Sequence, residues 1–245
     1  MRILLPLPHR DFDVTEVAVP WHVLSRAGHE VVFATEDGAT AACDPLLLSG
    51  VLFGQLGADA QARALYASMS RHPAFLAPLC WPLLKADDFD ALLLPGGHAP
   101  GMRPYLESAS LQRLVAAMMR RPVPIAAICH GVLVLARSMD GDASVLQGRR
   151  ATCLPRYMER SAYWLTAWKL GRYYRTYPAY VQEEVRAALG DAGRFERGPV
   201  HLFARGSDRD DRAGFVVEDG HLITARWPGD AWLFAKTLAR RLHVA

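Results

Sequence analysis

The sequence predicts an α/β fold in which a doubly wound, mostly parallel sheet has helices on both faces. Short apolar runs alternate along the chain with segments of helical periodicity. Runs such as Ala91–Leu94 and Ile125–Ile128 are apolar at every position, as expected for strands that are covered on both sides. The length of 245 residues fits a single domain of this class, and we assign residues 1–245 to it.

The first quarter of the chain shows the strand–helix–strand order of such a sheet. Arg2–Pro6 is predicted as the first strand. Val14–Ala27 has apolar residues close to helical spacing, and Gly28 follows it at the position where a glycine commonly ends a helix. His29–Thr35 is the second predicted strand, since it is apolar and rich in β-branched residues.

The middle of the chain begins with an insertion. Residues 54–85 have an alanine-rich helical pattern, clearest in Ala58–Ser70, and no strand pattern, so we expect a helical insertion. Two predicted strands with a helix between them follow: Phe89–Leu94, Ser110–Arg120 and Val123–Ile128.

The remainder is predicted to contain four helices: His130–Ser138, Tyr157–Leu170, Pro178–Leu189 and Trp232–Leu242. Residues 155–212 form a second helical insertion. Gly214–Val217 and His221–Ala225 are predicted to pair as a hairpin, with Asp219-Gly220 supplying the positive φ angles of a tight turn.

Composition and charge exclude several classes of protein. With 51% hydrophobic and 22% charged residues, the chain can bury a core, yet no apolar run approaches the roughly 18 residues of a membrane span. The net charge of +3 with scattered arginines argues against a nucleic-acid partner. The N-terminus lacks a signal-peptide pattern, so we expect a cytoplasmic protein, and the base rate favours a homodimer.

Cys129 lies at the predicted junction of a strand and a helix. Ala127 and Gly131, two residues before and after it, leave room for the tight strand–nucleophile–helix turn that presents a side chain at the carboxyl end of a sheet. The following helix N-terminus would stabilise a thiolate, and the His130 amide would face an oxyanion. We therefore expect an exposed, ionised nucleophile, the alternative being a buried cysteine that only fills space.

A second turn, Pro95-Gly96-Gly97-His98, follows the strand before it. Glycines let the backbone approach closely and direct amides outward, so Gly96, Gly97, His98 and Gly131 are candidate oxyanion or substrate-binding residues. Carboxyl ends of neighbouring parallel strands share one edge of a sheet, where open α/β sheets bind ligands.

No metal or cofactor is expected. The four cysteines form no CxxC pair, and the histidines, His98 included, show no ligand spacing. The sequence also has neither a GxGxxG fingerprint nor an HExxH motif.

The motifs PGGH and AICHG, with Asp13–Trp21, Ala27–Val31 and Asp219–Arg226, resemble those of the ThiJ/PfpI (DJ-1/PfpI) superfamily of class I glutamine-amidotransferase-like proteins. The resemblance implies a flavodoxin-like fold. It also implies that Glu16, four residues before Pro20, reaches the nucleophilic cysteine. A carboxylate there would repel a thiolate, so Glu16 is expected to be a protonated acid; otherwise it is an ordinary first-turn helix acid.

The adjacent cysteine and histidine resemble the branch of chaperones and glutathione-independent glyoxalases, whose members use Cys, the following His and a downstream acid. This implies the catalytic set Cys129, His130 and Glu159, with Asp140 and Asp142 as alternatives to Glu159. The expected substrate is a small carbonyl compound, a methylglyoxal-type 2-oxoaldehyde converted to a 2-hydroxy acid.

Other functions remain open at this point. A protein deglycase or another cysteine hydrolase would use the same residues. Glutamine amidotransfer is disfavoured, since residues 198–245 contain no His-x-Glu pair. From a different class, a stress-related holdase chaperone or an oxidation sensor would also explain a reactive cysteine.

Overall fold

The computed structural model describes residues 1–51, 57–200 and 204–244. The helices in these ranges are α1 (Val14–Arg26), α2 (Pro45–Ser49), α3 (Ala60–Met69), α4 (Pro73–Leu76), α5 (Arg103–Leu106), α6 (Ala109–Met119), α7 (Val132–Arg137), α8 (Arg156–Leu170), α9 (Val181–Leu189) and α10 (Ala231–Val244). The strands are β1 (Arg2–Pro6), β2 (Glu30–Thr35), β3 (Leu79–Cys80), β4 (Ala91–Leu94), β5 (Ile125–Ile128), β6 (Met139–Asp140), β7 (Ala143–Ser144), β8 (Arg150–Ala151), β9 (Arg194–Phe195), β10 (Val216–Asp219) and β11 (Leu222–Ala225).

Seven of the described strands form one sheet in the order β10-β11-β5-β4-β1-β2-β3. Only β10 pairs antiparallel, with β11. The strand order reverses at β1, which pairs with β2 on one side and β4 on the other, Ile3 lying opposite Val31 and Ala91. This confirms the doubly wound, mostly parallel sheet, and it places a crevice at the carboxyl ends of β1 and β4.

Helices cover both faces of the sheet. α1 packs against α3 and α10, and α7 packs against α6 and α9. Every residue of β4 and β5 is 0% exposed, as the uninterrupted apolar pattern predicts for strands between two helical layers. In the described part of the chain, no helix is both long and apolar enough to cross a lipid bilayer.

α1 is positioned by its caps. The Asp13 side chain accepts hydrogen bonds from the amides of Thr15 and Glu16, which lack partners in the first helical turn. The helix ends at Arg26, and Gly28 adopts the positive φ of 82° that the sequence predicts for the residue after a helix. Because Glu16 lies in the first turn, the Asp13 cap fixes its side chain at the crevice.

The first insertion differs from its prediction. Residues 54–56 lie outside the described residues, and α3 and α4 confirm the helical character of most of the rest. The expected lack of a strand is wrong, because Leu79 and Cys80 form β3 and extend the sheet by pairing with Ala34 and Thr35. Two residues are too few to produce a recognisable strand pattern.

The second insertion contains α8 and α9 as predicted, and its residues 201–203 lie outside the described residues. The hairpin also forms, but with a different turn. Asp219 pairs with Leu222 as the last residue of β10, so the two-residue loop is Gly220-His221. Only Gly220, with a φ of 60°, has a positive φ there.

Candidate active site

Glu16, the glycines after β4 and the Cys-His pair come together where β1, β4 and β5 end. The Asp13 amide donates to the Gly96 carbonyl oxygen at 2.9 Å, and the Gly96 amide donates to Oε2 of Glu16 at 2.8 Å. Cys129 begins the turn after β5. Three separate stretches of sequence are therefore joined at one edge of the sheet.

Cys129 has a φ of 58°, in the left-handed region that L-residues rarely adopt. The turn requires small neighbours. A Cβ added at Gly131 would overlap the carbonyl oxygen of Leu94, and one added at Gly96 would lie 2.8 Å from the His130 nitrogen and 2.9 Å from the Cys129 Cβ. The glycines thus have a steric reason to be there, and they let Glu16, Cys129 and His130 converge.

The expectation of a solvent-exposed thiolate is wrong. Cys129 is 0% exposed. Burial raises the pKa of its thiol well above the ordinary value, the neighbouring carboxyl groups act in the same direction, and the hydrogen bond from the His130 amide opposes them less strongly. The helix-terminus effect expected from the sequence is outweighed by desolvation, and the resting residue is a neutral thiol.

His130 is buried beside this thiol, with Nδ1 at 3.6 Å from the Cys129 Sγ and Nε2 at 3.4 Å from the Thr176 Oγ1. The Thr176 hydroxyl donates to the His98 carbonyl oxygen, so its own oxygen is free to accept from Nε2–H. This network assigns the ring proton to Nε2 and leaves Nδ1 unprotonated, facing the sulfur. Burial, with the nearby His98 ring and the charge of Arg137, lowers the pKa of His130, which favours the neutral ring.

Glu16 is fully buried, and its Oε2 meets the same face of Gly96 as the His130 nitrogen and the Cys129 Cβ. Oε2 accepts from the Gly96 amide, while Oε1 has no hydrogen-bond partner within the described residues. Burial raises the pKa of Glu16 well above its ordinary value, and the neighbouring Asp13 carboxyl adds to the increase. These features support a protonated Glu16 that has one hydrogen to donate.

The structure does not bring Glu159 to the histidine. Its Oε1 pairs with Arg175 at 2.8 Å, and its Oε2 accepts from the Val181 amide at 3.0 Å. Asp140 is exposed and pairs with Arg120, and Asp142 is also exposed. The partner of His130 is instead Thr176, which sequence analysis could not select because it lies in a linking segment without a motif.

Gly97 and His98 extend the site on the β4 side. A Cβ at Gly97 would lie 2.5 Å from the Asp11 carbonyl oxygen, so this glycine permits the loop after β1 to approach. The His98 ring meets the rings of His130 and Tyr174 edge-on, with centroids 5.2 and 5.5 Å apart. Burial lowers the pKa of His98 to about 4, which leaves it neutral.

The site contains a possible donor set for a soft metal. One ligand atom each from His98, Cys129 and His130 lie within 4.8 Å of one another. Two imidazoles and one thiolate suit zinc. The spacing of the histidines in the sequence shows no such pattern, and the fold brings His98 to the Cys-His pair.

The family model and curated relatives that match this chain point to the ThiJ/PfpI family. The profile described as ThiJ/PfpI family-like matches residues 7–199. The deglycase PfpI of Pyrococcus furiosus is 30% identical over 152 residues, which cover 62% of this chain and 71% of that protein. A probable glutathione-independent glyoxalase of Schizosaccharomyces pombe is 28% identical over 164 residues, covering 65% of this chain and 55% of that protein.

Among solved structures, glyoxalase III of Candida albicans superposes with a TM-score of 0.71 at 18% identity, covering 98% of this chain and 97% of that chain. This similarity shows that the two chains share their fold.

Proposed function

This chain belongs to the ThiJ/PfpI-like family, and from that membership we propose that it is a cysteine-dependent, glutathione-independent glyoxalase acting on methylglyoxal-type 2-oxoaldehydes. The main support is the geometry of one pair: the unprotonated Nδ1 of His130 lies 3.6 Å from the Cys129 sulfur. A thiol beside a neutral imidazole is an activated nucleophile of the cysteine–histidine type. The names of the relatives, deglycase and glyoxalase, agree with reactive carbonyl substrates.

In the first step, the Cys129 sulfur attacks the aldehyde carbon, C1, and its proton passes to the Nδ1 of His130. The protonated Glu16 gives its hydrogen to the former aldehyde oxygen, so a neutral hemithioacetal forms and Glu16 becomes a carboxylate. The low pKa of His130 and the high pKa of Glu16 suit this exchange, because neither group carries a charge before the substrate reacts.

In the second step, the Glu16 carboxylate removes the hydrogen from C1, and His130 returns its proton to the oxygen on C2, giving an enediol. Glu16 then delivers its hydrogen to C2 and accepts the hydroxyl proton at C1, which leaves a thioester of the 2-hydroxy acid. Water activated by His130 hydrolyses the thioester and regenerates the thiol. Together these reaction steps convert the 2-oxoaldehyde and one water molecule to the 2-hydroxy acid, with no other co-reactant.

Lactate formation from methylglyoxal without glutathione tests this function. We expect turnover by the wild type, a loss of at least about 1,000-fold in Cys129→Ala, and nearly normal activity in the control Cys80→Ala. Cys80 lies on the far edge strand β3, away from the site. The absence of turnover in the wild type, or its persistence in Cys129→Ala, would refute the proposal.

A protein deglycase is the second candidate, favoured by the names of the Pyrococcus relatives. The two functions separate if lactate release from a methylglyoxal-treated peptide is compared with release from an equal amount of free methylglyoxal. If lactate forms from the treated peptide faster than the free methylglyoxal in the sample can account for, the deglycase function is favoured. An oxidation sensor is less well supported, because Cys129 is buried and susceptibility to oxidation follows exposure and thiolate character.

A further inference from the structure

An apolar cavity of about 190 Å³ lies against His98. Its walls are mostly apolar and include Leu47 of α2, Leu154, Trp227 and one face of α8, while Asp13 and Arg205 are the charged residues of the lining. The α8 residues Met158, Ser161, Ala162 and Leu165 all line it, and their i, i+3, i+4, i+7 spacing places them on a single side of the helix.

The cavity is connected to the reacting atoms through His98. This residue lines the cavity, and one of its ring nitrogens lies within 4.8 Å of the Cys129 sulfur. A carbonyl group held at the His98 end would therefore lie beside a residue whose ring is itself close to the nucleophile.

The cavity is too large for the methyl group of methylglyoxal. An engineered apolar cavity of about 150 Å³ is sufficient to bind benzene. The 190 Å³ present here has room for a ring-sized apolar group. Filling it would bury apolar surface that methylglyoxal leaves uncovered, and burial of such surface is the main source of affinity in apolar pockets.

Three polar atoms of the lining residues are buried without hydrogen-bond partners in the described part of the chain: the His98 Nδ1, the Tyr174 hydroxyl and the Trp227 Nε1. Buried polar atoms are normally paired, and an unpaired one calls for an explanation. Apolar walls with a few unpaired polar groups are typical of a site for a small molecule that has an apolar body and a polar end.

We propose that the cavity receives the side group of an aromatic or similarly bulky 2-oxoaldehyde, whose oxygens lie at the His98 end, so that this substrate class is preferred over methylglyoxal. The inference rests on the proposed glyoxalase function and adds the size and polarity of the substrate. The proposed preference depends on the residues that line the cavity, and Cys129, His130 and Glu16 are not among them.

The test compares initial rates with phenylglyoxal and methylglyoxal. We expect kcat/KM for phenylglyoxal to exceed that for methylglyoxal at least about tenfold. Ala162→Phe, which fills the cavity from α8, should lower the ratio of the two values by about tenfold or more. Ala167→Phe is the matched control, because Ala167 is on the same helix and outside the cavity lining, and it should leave the ratio within about twofold.

A second measurement does not depend on turnover. In the Cys129→Ala protein, calorimetry should show tighter binding of mandelate than of lactate, and Ala162→Phe should remove the difference. Equal or better use of methylglyoxal by the wild type, or equal binding of the two acids, overturns the inference and leaves glyoxalase activity standing. If the wild type turns over neither aldehyde, the proposed function fails, and mandelate binding alone decides which ligand class the cavity takes.

Discussion

Cys129 adopts a backbone conformation that its own Cβ disfavours. A left-handed conformation costs an L-residue about 1–2 kcal/mol, so the neighbours must hold it in place. Gly96 and Gly131 do this by allowing close approach that no other residue would permit. The sequence revealed this much, because a cysteine between an apolar strand and a helix, with small residues two positions away, is a local pattern.

The surroundings of the sulfur were less predictable. Burial of Cys129 depends on Glu16, Gly96 and His130, which meet only after folding, and desolvation then dominates the pKa of the thiol. Thr176 was missed for the same reason. Its contact with His130 joins positions 46 residues apart, and no local signal distinguishes this threonine from others in the chain.

Thr176 is predicted to be a positioning residue for His130. Thr176→Val keeps the shape and removes the oxygen that accepts from Nε2–H, so both ring tautomers become populated and Nδ1 is less often free. We expect kcat to fall about 10- to 100-fold with little change in KM, a part of the contribution of general base catalysis. Thr176→Ser should restore most of kcat; a serine variant as slow as the valine variant would contradict the role.

Among the elements, the strands of four or more residues and the long helices were predicted well because their pattern extends over the whole element, whereas the two-residue strands β3, β6, β7, β8 and β9 were not predicted. β4, β5 and α8 each carry a pattern along their whole length. β3 has two residues, and the hairpin turn differs by one position, since pairing of Asp219 with Leu222 is decided by the register of β10 and β11. Such features depend on contacts between elements.

Glu159 connects two elements of the second insertion. It lies in the first turn of α8, its carboxylate accepts from the amide that begins α9, and it pairs with Arg175, whose side chain is 11% exposed. The carboxylate that the resemblance implies as the third catalytic residue therefore forms a structural ion pair instead.

Glu159→Ala is expected to destabilise the protein by about 3–5 kcal/mol, because it leaves the Arg175 charge buried without its partner. Activity per folded molecule should fall less than tenfold, as Glu159 does not contact His130. Urea denaturation measures the first quantity, and lactate formation below the transition measures the second. A loss of activity comparable to that of Cys129→Ala, at unchanged stability, would restore Glu159 to the catalytic set.

Two buried carboxyl groups of the candidate site, Asp13 and Glu16, affect the stability of the folded protein. Burial raises the pKa of Asp13 to about 6, from an ordinary value of 3.8, and raises the pKa of Glu16 well above 4.5. A folded state with raised carboxyl pKa values binds protons more tightly than the unfolded chain. Its advantage is therefore complete below the unfolded pKa values and is lost as pH rises through the folded ones.

Glu16→Gln removes one of these groups and keeps an oxygen for the Gly96 amide. We expect the variant to melt at least about 3 °C above the wild type at pH 8, roughly 1 kcal/mol for a chain of this size, with a smaller difference at pH 5. Calorimetric scans at the two pH values measure this. A difference that does not change with pH would show that Glu16 is not buried as an acid.

The homodimer expected from base rates stays a prediction, which sedimentation would test.

Much of the cavity wall is encoded apart from the reacting groups, although Asp13 and His98 of the wall lie close to them in the sequence. The reacting groups follow β4 and β5 or begin α1, whereas Leu47 and the lining face of α8 belong to segments outside those strand ends. Substitutions in α8 can therefore change which substrates bind, while Cys129, His130 and Glu16 stay unchanged. Directed evolution of new selectivity in this protein would begin with α8. A search for natural variants with different aldehyde specificity would begin there too.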